Sequence, residues 1–157
     1  MSRGIRRQGR EMALKLLYSL PDHEGGSLDE VLADFWGQFE FRNDVLGEAE
    51  DTVTTSVPAE VRHFAERLVF GVSENLEQID RSLAEFSTNW ALDRMARVDL
   101  ALLRLAAYEL LCSVDVPANV VINEAIEVGK RFGTAETSKF INGILDPLAR
   151  TIRKPGQ

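Results

Sequence analysis

An all-α fold of about seven helices is what this chain predicts, on three observations. Apolar residues recur every three or four positions almost throughout. Alternating apolar and polar runs, the mark of half-buried strands, are absent. Prolines and capping residues fall between the periodic stretches and divide them into segments of helical length. With 157 residues and 45% hydrophobic content, the chain is long enough for one domain (1–157) to bury a full core.

The first helix, roughly 8–20, puts Met12, Ala13, Leu16, Leu17 and Leu20 on one face and stops at Pro21. Ser27 and Glu30 have capping-box spacing and open a second helix through Val31, Leu32, Phe35, Trp36 and Phe39. Between Pro21 and Glu60 eleven acidic residues face one basic residue, Arg42; the aperiodic part, about 42–57, reads as a mobile acidic loop. Pro58 suits the first turn of a third helix carrying Val61, Phe64, Leu68, Val69 and Val72. A short fourth uses Leu76, Ile79, Leu83 and Phe86.

The fifth, roughly 91–112, carries Val98, Leu102, Leu105 and Ala106, widened by Leu103, Leu110 and Leu111, so it is expected at the centre. The sixth starts at Pro117, packs through Val121, Ile122, Ala125 and Ile126, and stops at Gly133. The seventh runs from about Ala135 through Phe140, Ile141, Ile144 and Leu145, and Pro147 should kink or end it. The tail RKPGQ should fray. No internal repeat is visible.

Charge is distributed unevenly. The first twenty residues hold Arg3, Arg6, Arg7, Arg10 and Lys15 against Glu11, a net +4, which leaves −11 on the rest of a chain whose total is −7. A basic arm (1–10) on an acidic body is a contact device for a polyanion or an acidic surface. On a helical wheel the four arginines fall within an arc of about 100°, opposite Met12, Leu16 and Leu20. Tyr18 lies on the arginine side. Arginines offer forked donors to phosphate, and an exposed tyrosine offers a flat face to an unpaired base. Gly4 and Gly9 disfavour a stable free helix, so the arm is expected to order on binding.

Signals for catalysis are missing. His23 and His63 have no ligand partners at metal spacing. Cys112 is the only cysteine; it can form no intramolecular disulfide and reads as core. GTAETSK has neither the glycines nor the preceding strand of a phosphate loop. Glu124, Glu127 and Lys130 read as a solvated face, and Asn123 and Asn142 as buried asparagines joining the last two helices. The expectation is no catalytic residue, no metal and no cofactor. Thr137, Ser138 and Lys139 gather at a helix start, where backbone N–H groups attract anions. No apolar run is long enough for a signal peptide or a membrane span, so a cytoplasmic protein is expected.

Four runs, RRQGREMALKLLYSL at 6–20, LLRLAAYELL at 102–111, DVPANVVINEAIEVGKRFG at 115–133 and SKFINGILD at 138–146, resemble the NusB family of bacterial transcription antitermination factors, in family order. The resemblance implies two small helical bundles packed across each other, without catalysis. It implies binding of the single-stranded boxA element of leader RNA, chiefly in ribosomal RNA operons, together with the ribosomal protein NusE. The pair then joins other Nus factors on RNA polymerase; some members form homodimers that hide the RNA surface.

Residue by residue, the family's arginine-rich motif falls on Arg6, Arg7 and Arg10, continuing the arm from Arg3, with Tyr18 as its aromatic. The start of the last helix, Glu136, Ser138, Lys139 and Phe140, matches a second RNA-proximal region. Asp99 occupies the acidic position facing NusE, and Glu136 is assigned with it to the protein partner. The same module also opens some ribosomal-RNA cytosine methyltransferases, but no Rossmann-like segment is present here. The alternative is a protein-binding helical adaptor or homodimer without direct RNA recognition.

Overall fold

The computed structural model describes residues 3–20, 28–45, 57–87 and 91–153, and for Arg3 and residues 38–45 the backbone alone. Seven α-helices account for most of them: α1 (Arg3–Ser19), α2 (Leu28–Val45), α3 (Ala59–Glu74), α4 (Leu76–Phe86), α5 (Arg97–Cys112), α6 (Ala118–Phe132) and α7 (Thr137–Ile152). A single 3₁₀ turn, Leu92–Arg94, precedes α5, and no strand occurs among the described residues. The all-α class stands. The chain forms two compact units, Met1–Arg67 and Leu68–Gln157, the division falling within α3.

In the first unit, Met12, Ala13, Leu14 and Leu16 of α1 are buried, as are Leu32 and Trp36 of α2 and Val61, Phe64 and Ala65 of α3. Trp36 fixes α2 to α3. Its indole N–H donates to Glu66 Oε1 at 2.8 Å, and the Arg62 guanidinium lies 5.1 Å over its ring while bonding the same carboxylate at 3.1 Å. A buried indole needs such an acceptor.

The second unit is built on α5, where Leu102, Leu103, Leu105 and Leu110 are among eight buried residues. α4, α6 and α7 each pack against it. Arg104 of α5 grips Asp80 of α4 with two bonds of 2.9 Å. Central placement of α5 matches its sequence pattern.

Several expectations need correction. The arm is not an unstructured segment: α1 begins at Arg3. Gly9 is buried because the Phe64 ring occupies the space a Cβ would take, so this glycine serves close packing rather than flexibility. Residues 42–45 are helical and belong to α2, not to an acidic loop; residues 46–56 of that loop, like His23 and Ser27, lie outside the described residues. The fifth helix does not run from 91: Met95 and Ala96 are extended (ψ 150° and 141°), which separates the 3₁₀ turn from α5.

Pro147 does not end α7, which continues five residues to Ile152. The proline forfeits one backbone bond, and burial of Leu148 and Ala149 beyond it offsets that loss. Cys112 is exposed rather than core. Asn123 and Asn142 are exposed, whereas Glu124 is buried, the reverse of the sequence reading; the Glu127–Lys130 ion pair does form, at 3.2 Å.

The tail was expected to fray, yet its first residue is an anchor. Arg153 donates to Leu110 O, Val116 O, Glu109 O and Ser113 O at 2.7–3.0 Å, closing the C-terminal end of α5. Residues 154–157 lie outside the described residues.

Candidate nucleic-acid and partner interface

The cationic helix α1 carries its charges in graded environments. Arg6 and Arg7 are half-buried and Lys15 is exposed. Arg10 is only 4% exposed and lies 5.6 Å over the Phe64 ring. Its guanidinium is thus a packing group of the first unit, and the expectation that Arg10 stands out in solvent with the other arginines is corrected. The wheel places it opposite the apolar stripe of α1 and knows nothing of α3; a planar guanidinium lies readily against an aromatic face, and α3 supplies one. Arg67 approaches that ring at 5.7 Å. Arg6 keeps its Nε buried with no hydrogen-bond partner among the described residues. Tyr18 is 43% exposed, one of the large side chains that remain open to solvent. The Arg3 side chain lies outside the described residues.

In the second unit the start of α7 is held by a threonine pair. The Thr134 N–H donates to Thr137 Oγ1 at 2.9 Å, and the Thr137 hydroxyl donates to Asp99 Oδ1 of α5 at 2.8 Å. Glu136 N–H in turn donates to Thr134 Oγ1 at 3.2 Å. Thr137 has no exposed surface. Gly133, which ends α6, abuts the Thr137 side chain, so the turn closes only without a Cβ there.

These constraints set one wall of a cavity of about 830 Å³, lined among others by Phe86, Met95, Asp99, Glu136, Lys139 and Phe140. The structure therefore brings together four residues singled out in the sequence: Asp99, Glu136, Lys139 and Phe140. Ser138 is half-buried on the same turn but is not part of the lining. The cavity lining pairs aromatic and sulfur-bearing side chains, Phe86, Phe140 and Met95, with charges of both signs, Arg94 and Lys139 against Asp99 and Glu136. Such a surface can stack a flat ring and bond its edge.

Sequence reasoning missed as site residues Phe86, the last residue of α4, and Arg94 and Met95, at the end of the 3₁₀ turn before α5. It also missed Thr137 as a hydrogen-bond hub, although the T-x-x-T spacing after Gly133 signals a capped turn. Among the described residues no cluster of His, Cys, Asp or Glu could hold a metal, and no helix is long and apolar enough to cross a membrane.

Helices without strands among the described residues, a cationic α1 bearing an open tyrosine, and a charged cavity lined by two phenylalanines define an all-helical protein without a catalytic constellation among those residues. The NusB family model matches residues 7–150. The transcription antitermination protein NusB of Syntrophotalea carbinolica is 58% identical over 153 residues, covering 98% of this chain and 97% of that protein. The solved structure of T. maritima NusB is 35% identical, with a TM-score of 0.65 over 92% of this chain and 90% of that one. A crystal structure of the antitermination factors NusB and NusE in complex with dsRNA shares the fold at 20% identity, with a TM-score of 0.74 over 96% of this chain and 99% of its counterpart. The chain belongs to the NusB family.

Proposed function

We propose that the chain makes transcription processive by binding boxA-type single-stranded leader RNA, notably of ribosomal RNA operons, together with NusE. Transcription antitermination is the function that membership of this family carries. The pair joins further Nus factors on RNA polymerase, and a homodimer is the alternative use of the same surfaces. The protein acts in the cytoplasm, without catalysis or a cofactor, as a single NusB-like unit of function spanning 1–157. Arg3, Arg6, Arg7 and Tyr18 meet the RNA on α1, with Ser138, Lys139 and Phe140 as a second contact; Asp99 and Glu136 meet the protein partner. Arg10 supports that face from beneath, through Phe64.

The observation that carries this reading is the solvent-open Tyr18 on a helix rich in arginine. Support also comes from the crystal structure in which a protein of this fold is in complex with NusE and dsRNA. That RNA is double-stranded; the preference for a single strand rests on Tyr18, because a stacking platform needs an unpaired base.

Titrating boxA-like, scrambled and duplex RNA, each with and without NusE, tests it. Equal affinity for boxA-like and scrambled strands in the presence of NusE would favour the adaptor reading. Tyr18→Ala should weaken single-strand binding by about 1–3 kcal/mol with an unchanged salt slope, since stacking releases no counterions. Arg6→Ala with Arg7→Ala should lower the slope of log affinity against log salt by about 1.4, two single-strand phosphate contacts at ~0.7 each. A wild-type slope would mean that neither touches phosphate.

A further inference from the structure

We propose that the Thr137 hydroxyl is a positioning group that locks Asp99 to the first turn of α7, so that a protein partner at Asp99 and RNA at Lys139 and Phe140 each strengthen the binding of the other. The proposal rests on the functional reading above and adds the residue through which its two ligands communicate.

A threonine hydroxyl has one proton to give, and here it goes to Asp99 Oδ1. Thr137 Oγ1 itself accepts the Thr134 N–H, so the hydroxyl is engaged both as donor and as acceptor and its direction is fixed. Packing enforces that direction. The fully buried Thr137 side chain abuts Gly133, and its methyl lies 3.1 Å from where a Gly129 Cβ would stand. Two glycines thus make room for one threonine, whose rotation would break both bonds.

Asp99 has a second oxygen that no described group bonds, and the residue lines the same cavity as Glu136, Lys139 and Phe140. A ligand group that captures this oxygen immobilises the carboxylate and, through Thr137 and Thr134, the turn that presents Lys139 and Phe140. The second ligand then meets a turn already ordered and loses less conformational freedom on binding. The effect is reciprocal by linkage.

The test is the ratio of boxA-like RNA dissociation constants without and with saturating NusE, measured for wild type, Thr137→Val and Thr137→Ser, with circular dichroism checking the fold. Valine keeps the shape and removes the hydroxyl; the ratio should fall about fivefold or more, toward one. Serine keeps the hydroxyl and should restore it, which a purely volumetric role of Thr137 would not produce. A folded valine variant with the wild-type ratio overturns the proposal. If valine does not fold, Asp99→Ala removes the acceptor from the other end while leaving the Thr134–Thr137 bond. Its ratio at saturating NusE should fall likewise, and a retained ratio again overturns the proposal. A wild-type chain that binds boxA-like RNA no better than scrambled RNA in either condition would sink the functional reading itself, and the proposal with it.

Discussion

Arg153→Met is expected to destabilise the protein by about 3 kcal/mol. One guanidinium serves four carbonyl oxygens, of Glu109, Leu110, Ser113 and Val116, and two of these residues belong to the last turn of α5. The last carbonyls of a helix have no partner within it. Glu109 O and Ser113 O also accept the amides of Ser113 and Val116, but among the described residues Leu110 O and Val116 O have no other backbone donor outside the helix ladder. Methionine keeps much of the stem and offers no donor, leaving half-buried carbonyls to find water. Lysine should recover only part of the loss, since one ammonium cannot reproduce the flat fork that reaches both sides of the turn. Urea denaturation followed by circular dichroism measures the change, with a fall in melting temperature of about 6–12 °C. A methionine variant as stable as wild type would mean that water serves those carbonyls equally well.

Helix number and order were legible because each helix buries a stripe at 3.6-residue spacing, and that signal is local. What was misread depended on residues distant in sequence. The burial of Arg10 and the need for glycine at 9 both follow from Phe64, some fifty-five positions away. Arg153 looks like the start of a charged tail until the end of α5, forty or more residues earlier, is seen to lack partners.

One error was avoidable. On α6 the buried Val121, Ala125 and Val128 set the inward direction, which puts position 124 inside and 123 outside. Charge suggests an exposed Glu124 and apolar neighbours a buried Asn123, but helical angle outranks polarity on this face. The interruption at Met95 and Ala96 has no glycine or proline to announce it, and its signal is the buried Met95 beside a half-buried Leu92.

The candidate site divides in the same way. Asp99, Glu136 and Phe140 come from family resemblance and Lys139 also from its place at a helix start, and only the fold shows that the four share a cavity. Thr137, the atom-level connection between α5 and α7, carries no charge and no unusual composition. Its role appears only when a carboxylate thirty-eight residues away comes within 2.8 Å.

Gly9→Val should cost about 3 kcal/mol of stability and reduce RNA affinity at the same time. Helix propensity alone predicts the opposite sign, since valine is a better helix former than glycine. The decisive fact is steric: a Cβ at position 9 would overlap the Phe64 ring, a rigid plate that cannot yield by rotating a flexible end. That ring lies beneath the Arg10 guanidinium and beside Arg67, so displacing it disturbs the packing that fixes α1 on α3. The arginine face turns with the helix, and Arg6, Arg7 and Tyr18 are presented at the wrong angle. Thermal melts and RNA titrations on Gly9→Val distinguish this from a loss of flexibility. If Gly9 serves mobility, the variant stiffens α1, stability rises, and only the RNA affinity changes. If it serves contact with Phe64, both fall, and Phe64→Ala in the Gly9→Val background should recover part of the stability lost by opening the space that valine needs.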